Sequence, residues 1–368
     1  MRSTAIERRT LLSLLGAAAL YPAGTEAEPA CPEAGYVSAA RRANGDHAAI
    51  LGRSGTMPRT AIALPGRGHE IAASPDRRLL VAVSRRPGRW FAVRRSDGDI
   101  HLIEAAAGRH FYGHGAFSAD GRWFFASENA YDSATGMIGR YDVAAGFVRR
   151  GEWTSGGVGP HALARLPGGE DLVVANGGIE THPDTGRTPL NLPDMRPSLA
   201  VLRLSDGAVV WRAMLEEHWR KLSVRHLSVR ADGLIAVGLQ DRQGGRHGPV
   251  LALATSGGSI TLLPGDEVRR REMRGYCGAL AFDRSGRWLA ATSPRGNCLQ
   301  LWRTDERCHH ASLFAPDLCG VAPAGRAGRF LVSSGEGRLY LADAATAGLR
   351  ECQRIDGGFD NHLTPLSI

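Results

Sequence analysis

An all-β chain folded as a seven-bladed β-propeller is the fold class this sequence predicts, on three observations. Seven short apolar segments superpose at a period near 40–50 residues, beginning at His69, His114, His161, His226, Cys277, Cys319 and His362. The first six each open a unit of about four short strands, which is the repeat of a propeller blade. The seventh segment, His362–Ile368, is one strand with no unit behind it, and three unassigned strands stand at the other end of the chain.

The elements follow in chain order. Residues 1–30 read as an export signal. Arg8-Arg9 precede an apolar run from Leu11 to Leu20, and small residues lead out through Ala27 and Ala30. A basic start, a short apolar stretch and a small-residue exit describe a cleavable signal, and the paired arginines point to the twin-arginine route into the periplasm. The run is too short to span a bilayer stably, and no other stretch is apolar enough, so no membrane span is expected after cleavage.

Residues 31–368 then form one propeller domain. Tyr36–Ala40, His47–Leu51 and Thr60–Leu64 are the three early strands. In each complete unit the inner strand A ends in a turn such as Ser74-Pro75-Asp76-Arg77 or Ser118-Ala119-Asp120-Gly121, residue types that bend the chain tightly. Apolar strand B follows, for example Leu79–Val83 and Leu172–Ala175, then strand C, for example Leu199–Leu204, and a weaker strand D. Joining His362–Ile368 to the three early strands makes the seventh blade, and closing the ring removes its open edges.

Composition narrows the partners. The 368 residues carry a formal charge of +8 with a single lysine, Lys221. The arginines are scattered through every repeat rather than gathered on one face, so a nucleic-acid partner is not expected, and a monomer is. Five of the six cysteines lie in the last quarter of the chain, where an oxidising compartment favours one or two disulfides.

The repeat places the chemistry. His69, His114, His161, His226 and His362 occupy one position at the start of strand A, with Cys277 and Cys319 standing there in the other two units. Strands A line a propeller's channel, so the five histidines are expected to ring its mouth on the face of the B–C loops. That face also carries Arg67, Glu128, Asn176, Arg225, Gln240 and the long loop from Asn176 to Pro197 with His182, Asp184 and Arg187. Binding groups sit on such loops because a rigid scaffold holds them.

Neutral imidazole ligates iron, copper or zinc. Because a seven-bladed channel is wide, two or three of the histidines are expected to reach one ion, aided by Glu70, Glu128, Asp184 or His182. Two other readings fit the same residues. Each histidine could brace a neighbouring blade, or histidines titrating near neutrality could join Arg67, Arg85, Arg225 and Arg242 in an anion-attracting mouth. The blade-bracing Gly-His pair of WD repeats lies about ten residues before the turn, whereas His114 lies four before Ser118. The chain has no nucleophile elbow, no H-E-x-x-H and no haem-attachment motif.

Several segments match a known pattern: Arg67-Gly68-His69, Tyr112-Gly113-His114-Gly115, Gly159-Pro160-His161, Val224-Arg225-His226-Leu227 and the stretch from Val174 through Ser198. Through them the chain resembles a bacterial domain-of-unknown-function family of twin-arginine-exported seven-bladed propellers. Members are often encoded beside imelysin-type iron-regulated periplasmic proteins. The resemblance implies a role in metal, iron above all, and imelysin-type partners; it supplies no catalytic residues. The leading expectation is a non-enzymatic periplasmic metal-handling propeller binding iron or copper. The alternatives are a metal-free interaction scaffold and a metal-dependent oxidoreductase or lyase.

Overall fold

The computed structural model describes residues 34–244 and 248–366; the expected export signal lies outside them. Seven antiparallel sheets stand in a ring. The first complete blade is Gly68–Ala73, Leu79–Ser84, Trp90–Arg95 and Ile100–Glu104. The second is Arg109–Phe117, Trp123–Ala130, Thr135–Asp142 and Val148–Thr154. The third is Pro160–Arg165, Asp171–Asn176, Ser198–Arg203 and Val209–Met214, and the fourth is Leu222–Val229, Ile235–Asp241, Leu251–Ala254 and Thr261–Leu262. The fifth and sixth open with Ala279–Phe282 and Leu318–Pro323.

The closing blade joins the two ends of the described chain. Gly35–Arg42 pairs on one edge with His47–Arg53, and on the other with both Gly357–Phe359 and Thr364–Leu366. The inner strand expected as one piece is therefore two short pieces. The break between them is held by Asp360 N donating to Ala39 O at 2.8 Å and by Ser38 Oγ donating to His362 O at 2.6 Å.

The turns form as their residue types require. Ser74 Oγ donates to Asp76 Oδ1 at 2.6 Å and accepts from Leu79 N at 3.0 Å, and Ser118 repeats the arrangement with Asp120 and Trp123. In the fifth blade the order is exchanged, and Asp283 accepts from Ser285 Oγ and Trp288 N. Middle strands bury both faces between neighbouring blades: Val81, Val83, Phe91, Val93 and Phe124 are all inaccessible or nearly so. Burying such side chains contributes about 1.5–3 kcal/mol each. Outer strands face water, with Leu102, Val210 and Phe314 exposed. No helix among the described residues is long and apolar enough to cross a membrane.

Candidate metal centre

Every inner strand that carries a histidine breaks register at it. The pairing slips between Gly68 and Ile71, Phe111 and Gly115, Pro160 and Ala162, and Val224 and His226. His362 lies in the break of the closing blade. A bulge adds a residue to one strand and re-aims a side chain, so each imidazole is turned into the channel. Glycine makes room at one point. Gly113 has φ +108°, and a Cβ there would meet His69 Cδ2 at 2.5 Å.

The five rings form one packed group deep in the channel. Ring centroids lie 4.9 Å apart for His69–His114, 4.8 Å for His114–His161, 4.7 Å for His161–His226, 5.0 Å for His226–His362 and 4.6 Å for His362–His69. Two expectations are corrected here. The histidines do not form an open ring at the mouth, since His69, His114, His161 and His226 are buried against one another. Nor does channel width keep them apart, because the bulges extend the side chains toward the axis.

Cys277 and Cys319 do not join the group. Cys277 packs among Val237, Leu280 and Met273 in the wall between the fourth and fifth blades. Cys319 points to Ser333 and the backbone of Asp360. Both are free thiols, as are Cys298 and Cys308, while Cys352 is disulfide-bonded. Hence no disulfide joins any two of these four, and of the one or two disulfides expected in that region the one at Cys352 is present.

Carboxylates orient two of the imidazoles. Asp360 Oδ1 lies 3.1 Å from His69 Nδ1, and Glu70 Oε2 lies 3.0 Å from His114 Nδ1. A proton on each Nδ1 satisfies these contacts and leaves the Nε2 lone pair free, the arrangement that metal-binding histidines use. Burial, then neighbouring charged or titrating groups, pushes His161 and His226 well below the ordinary imidazole range and His362 down to about 3. For His69 burial again dominates, outweighing Asp360. For these four the expectation of titration near neutrality does not hold.

His114 Nε2, His161 Nδ1, both nitrogens of His226 and His362 Nε2 are buried and make no hydrogen bond. Such a group costs about 1–3 kcal/mol when left unsatisfied. The nitrogens fall into two triads, His69/His114/His161 and His114/His226/His362, each with its ligand atoms within 4.8 Å of one another. The centre of such a triangle is at most about 2.8 Å from each nitrogen. A first-row ion needs about 2.1 Å, so a shift of about 0.7 Å per side chain completes either set. The donor set fits such an ion.

The other expected face residues divide. Arg67 and Arg85 stand at the mouth beside Asp360, at 2.5 and 3.7 Å. Arg225 is buried there next to His226, and Gln240 is buried with its backbone bridged to Tyr276. Arg187 overhangs the same region, where Arg86 and Tyr276 are among its strongest electrostatic neighbours.

His182 and Asp184 do not reach the ring. His182 packs edge-on against Tyr131 at 5.2 Å and accepts from Asp184 N. The long loop is tied down by Asn129 Nδ2 donating to Thr181 O and by Asn191 bonding Gly178 and Glu180. Glu128 and Asn176 are not on the face at all. Glu128 is fully buried in the second blade, accepting from Tyr141 Oη and Arg149 Nη2, each at 2.7 Å. Asn176 bonds Ser155 Oγ and O at 2.7 and 2.9 Å, inside the wall.

Sequence reasoning missed Asp360, a carboxylate bonded to both a ring histidine and Arg67. Its signal was present in Asp360-Asn361-His362, two residues before the last histidine. Below the ring the channel opens into a cavity of about 430 Å³ lined in part by Glu70, Ser228, His362 and Thr364.

These features define a seven-bladed propeller with a channel core of five converging imidazoles. The chain belongs to the family described as protein of unknown function (DUF1513), which matches residues 62–366. No curated protein sequence matches it. Among solved structures it is similar to Kuenenia stuttgartiensis hydrazine synthase, at 14% identity and a TM-score of 0.58 over 91% of this chain and 99% of that one. It is also similar to a chain of a mitotic checkpoint complex, at 11% identity and a TM-score of 0.60 over 81% and 83% of the two chains. At these identities the likeness concerns the fold alone.

Proposed function

We propose that this protein is a periplasmic metal-handling propeller that holds one transition-metal ion in the histidine ring. The single observation that carries the reading is the convergence of imidazoles with unpartnered nitrogens into two triads that share His114. Neutral nitrogen donors suit iron(II) or copper better than a hard ferric ion. Asp360 and Glu70 hold two of the ligands in orientation, as outer partners of metal-bound histidine do. The choice of iron, export by the twin-arginine route and cooperation with imelysin-type partners rest on the family resemblance. In this reading the protein binds and passes on its ion rather than transforming a substrate.

The test is a titration of Fe(II), Fe(III), Cu(II) and Zn(II) into chelator-treated protein, repeated on His114→Ala/His161→Ala. The double variant is expected to stay folded and lose tight binding. A double variant that unfolds while the parent binds no metal would instead make the ring a structural brace.

A further inference from the structure

The channel mouth above the ring is built of arginine. Arg225 is the extra residue of the fourth blade's bulge, next to His226, and is 5% exposed. Its Nε makes no hydrogen bond, and its strongest electrostatic neighbours are Arg86, Tyr276, Arg242 and Arg187. Arg86 is buried on the adjoining loop, with its guanidinium 5.6 Å from the centre of the Tyr112 ring. Arg242 follows the strand Ile235–Asp241, and its Nε is likewise buried without a partner. The nearby carboxylate, Asp360, is already engaged by Arg67, His69 and Arg85.

A guanidinium does not give up its proton in a protein. Burying one among like charges without an opposite charge is strongly unfavourable. Arg225 comes from the inner strand of the fourth blade and Arg86 and Arg242 from the loops that follow two second strands, and the unpartnered Nε donors of Arg225 and Arg242 need an acceptor carrying negative charge. Tyr276, whose hydroxyl accepts from Asn361 Nδ2 at 2.9 Å, offers at most a neutral dipole.

We propose that this mouth is a binding site for a small oxyanion with more than one negative charge, of the carboxylate or phosphate type. Arg86, Arg225 and Arg242 hold it, and Arg187 on the long loop covers it from outside. Guanidinium forks match the oxygen spacing of both groups. The site lies directly outside the histidine ring but does not depend on a metal there, so it stands or falls separately from the metal reading.

The experiment is isothermal titration of citrate, and separately of inorganic phosphate, into chelator-treated full-length protein at two ionic strengths. Saturable one-to-one binding is expected for at least one probe, weaker at higher salt; the tighter probe identifies a carboxylate or a phosphate source. Arg225→Gln is expected to lower affinity about tenfold or more, and Arg187→Gln by a smaller factor. Arg187 is exposed, so its variant remains informative if Arg225→Gln does not fold. No saturable binding of either probe, or affinities unchanged in both Arg187→Gln and Arg242→Gln, would overturn the proposal.

Discussion

Replacing Asp360 with asparagine separates orientation of a ligand from its identity. The carboxylate is 6% exposed and has two tasks. Oδ1 holds His69 Nδ1 at 3.1 Å and accepts from Asn361 N at 2.8 Å, while Oδ2 meets Arg67 at 2.5 Å. Asparagine keeps the shape, but its one carbonyl oxygen can serve only one side. If that oxygen faces His69, the amide NH2 is driven against the Arg67 guanidinium.

Outer-shell changes of this kind cost about 10–100-fold in metal affinity, equivalent to about 1.4–2.7 kcal/mol. Stability also falls. Breaking a buried ion pair costs about 3–5 kcal/mol, but Arg67 is half-exposed and regains water. Only Arg85, 17% exposed, is left beside a neutral group, so the lower end applies. The assay is metal titration of chelator-treated wild type and Asp360→Asn, with thermal unfolding in parallel. A folded variant with wild-type affinity for every ion would refute the assignment of Asp360 as the group that orients His69.

Three further outcomes are expected. Glu128→Ala should lower stability by about 3–5 kcal/mol, because Tyr141 Oη and Arg149 lose a buried partner; denaturant unfolding checks it, and metal binding should be unchanged. Gly113→Ala should cost about 2 kcal/mol or more through its positive φ and should weaken metal binding by displacing His69, read by unfolding and titration on one sample. Arg109 foremost, with Arg149, holds the Glu152 carboxyl down at about 2 against burial. A depressed carboxylate adds stability that is complete above its unfolded value near 4.5 and is lost as pH falls toward 2. Glu152→Gln should therefore be less stable than wild type at pH 7, with a flatter stability curve between pH 4.5 and 2.

The blades were legible because the middle strands are apolar runs between turns whose side chains cap them, as Ser74 and Ser118 do. Outer strands were faint for a physical reason: with Leu102 and Val210 facing water, nothing selects a buried face. Convergence of the histidines was legible from their common repeat position, but its tightness was not. That depends on bulges, which shift which residue faces the axis and leave little trace in composition.

The same alignment misled at Cys277 and Cys319, which share the position yet point into the walls. Glu128 and Asn176 misled because they lie near or at the ends of second strands, which face neighbouring blades and not the channel. Asp360 was overlooked because it lies in a strand break with no counterpart in the other units.

The most direct test of the central claim is the metal content of untagged protein purified from its native cells, compared with His114→Ala/His161→Ala prepared identically. The account predicts near-stoichiometric iron or copper in the parent and its loss in the folded variant. Protein without metal, which also takes up no ion more tightly than surface histidines do, would contradict it.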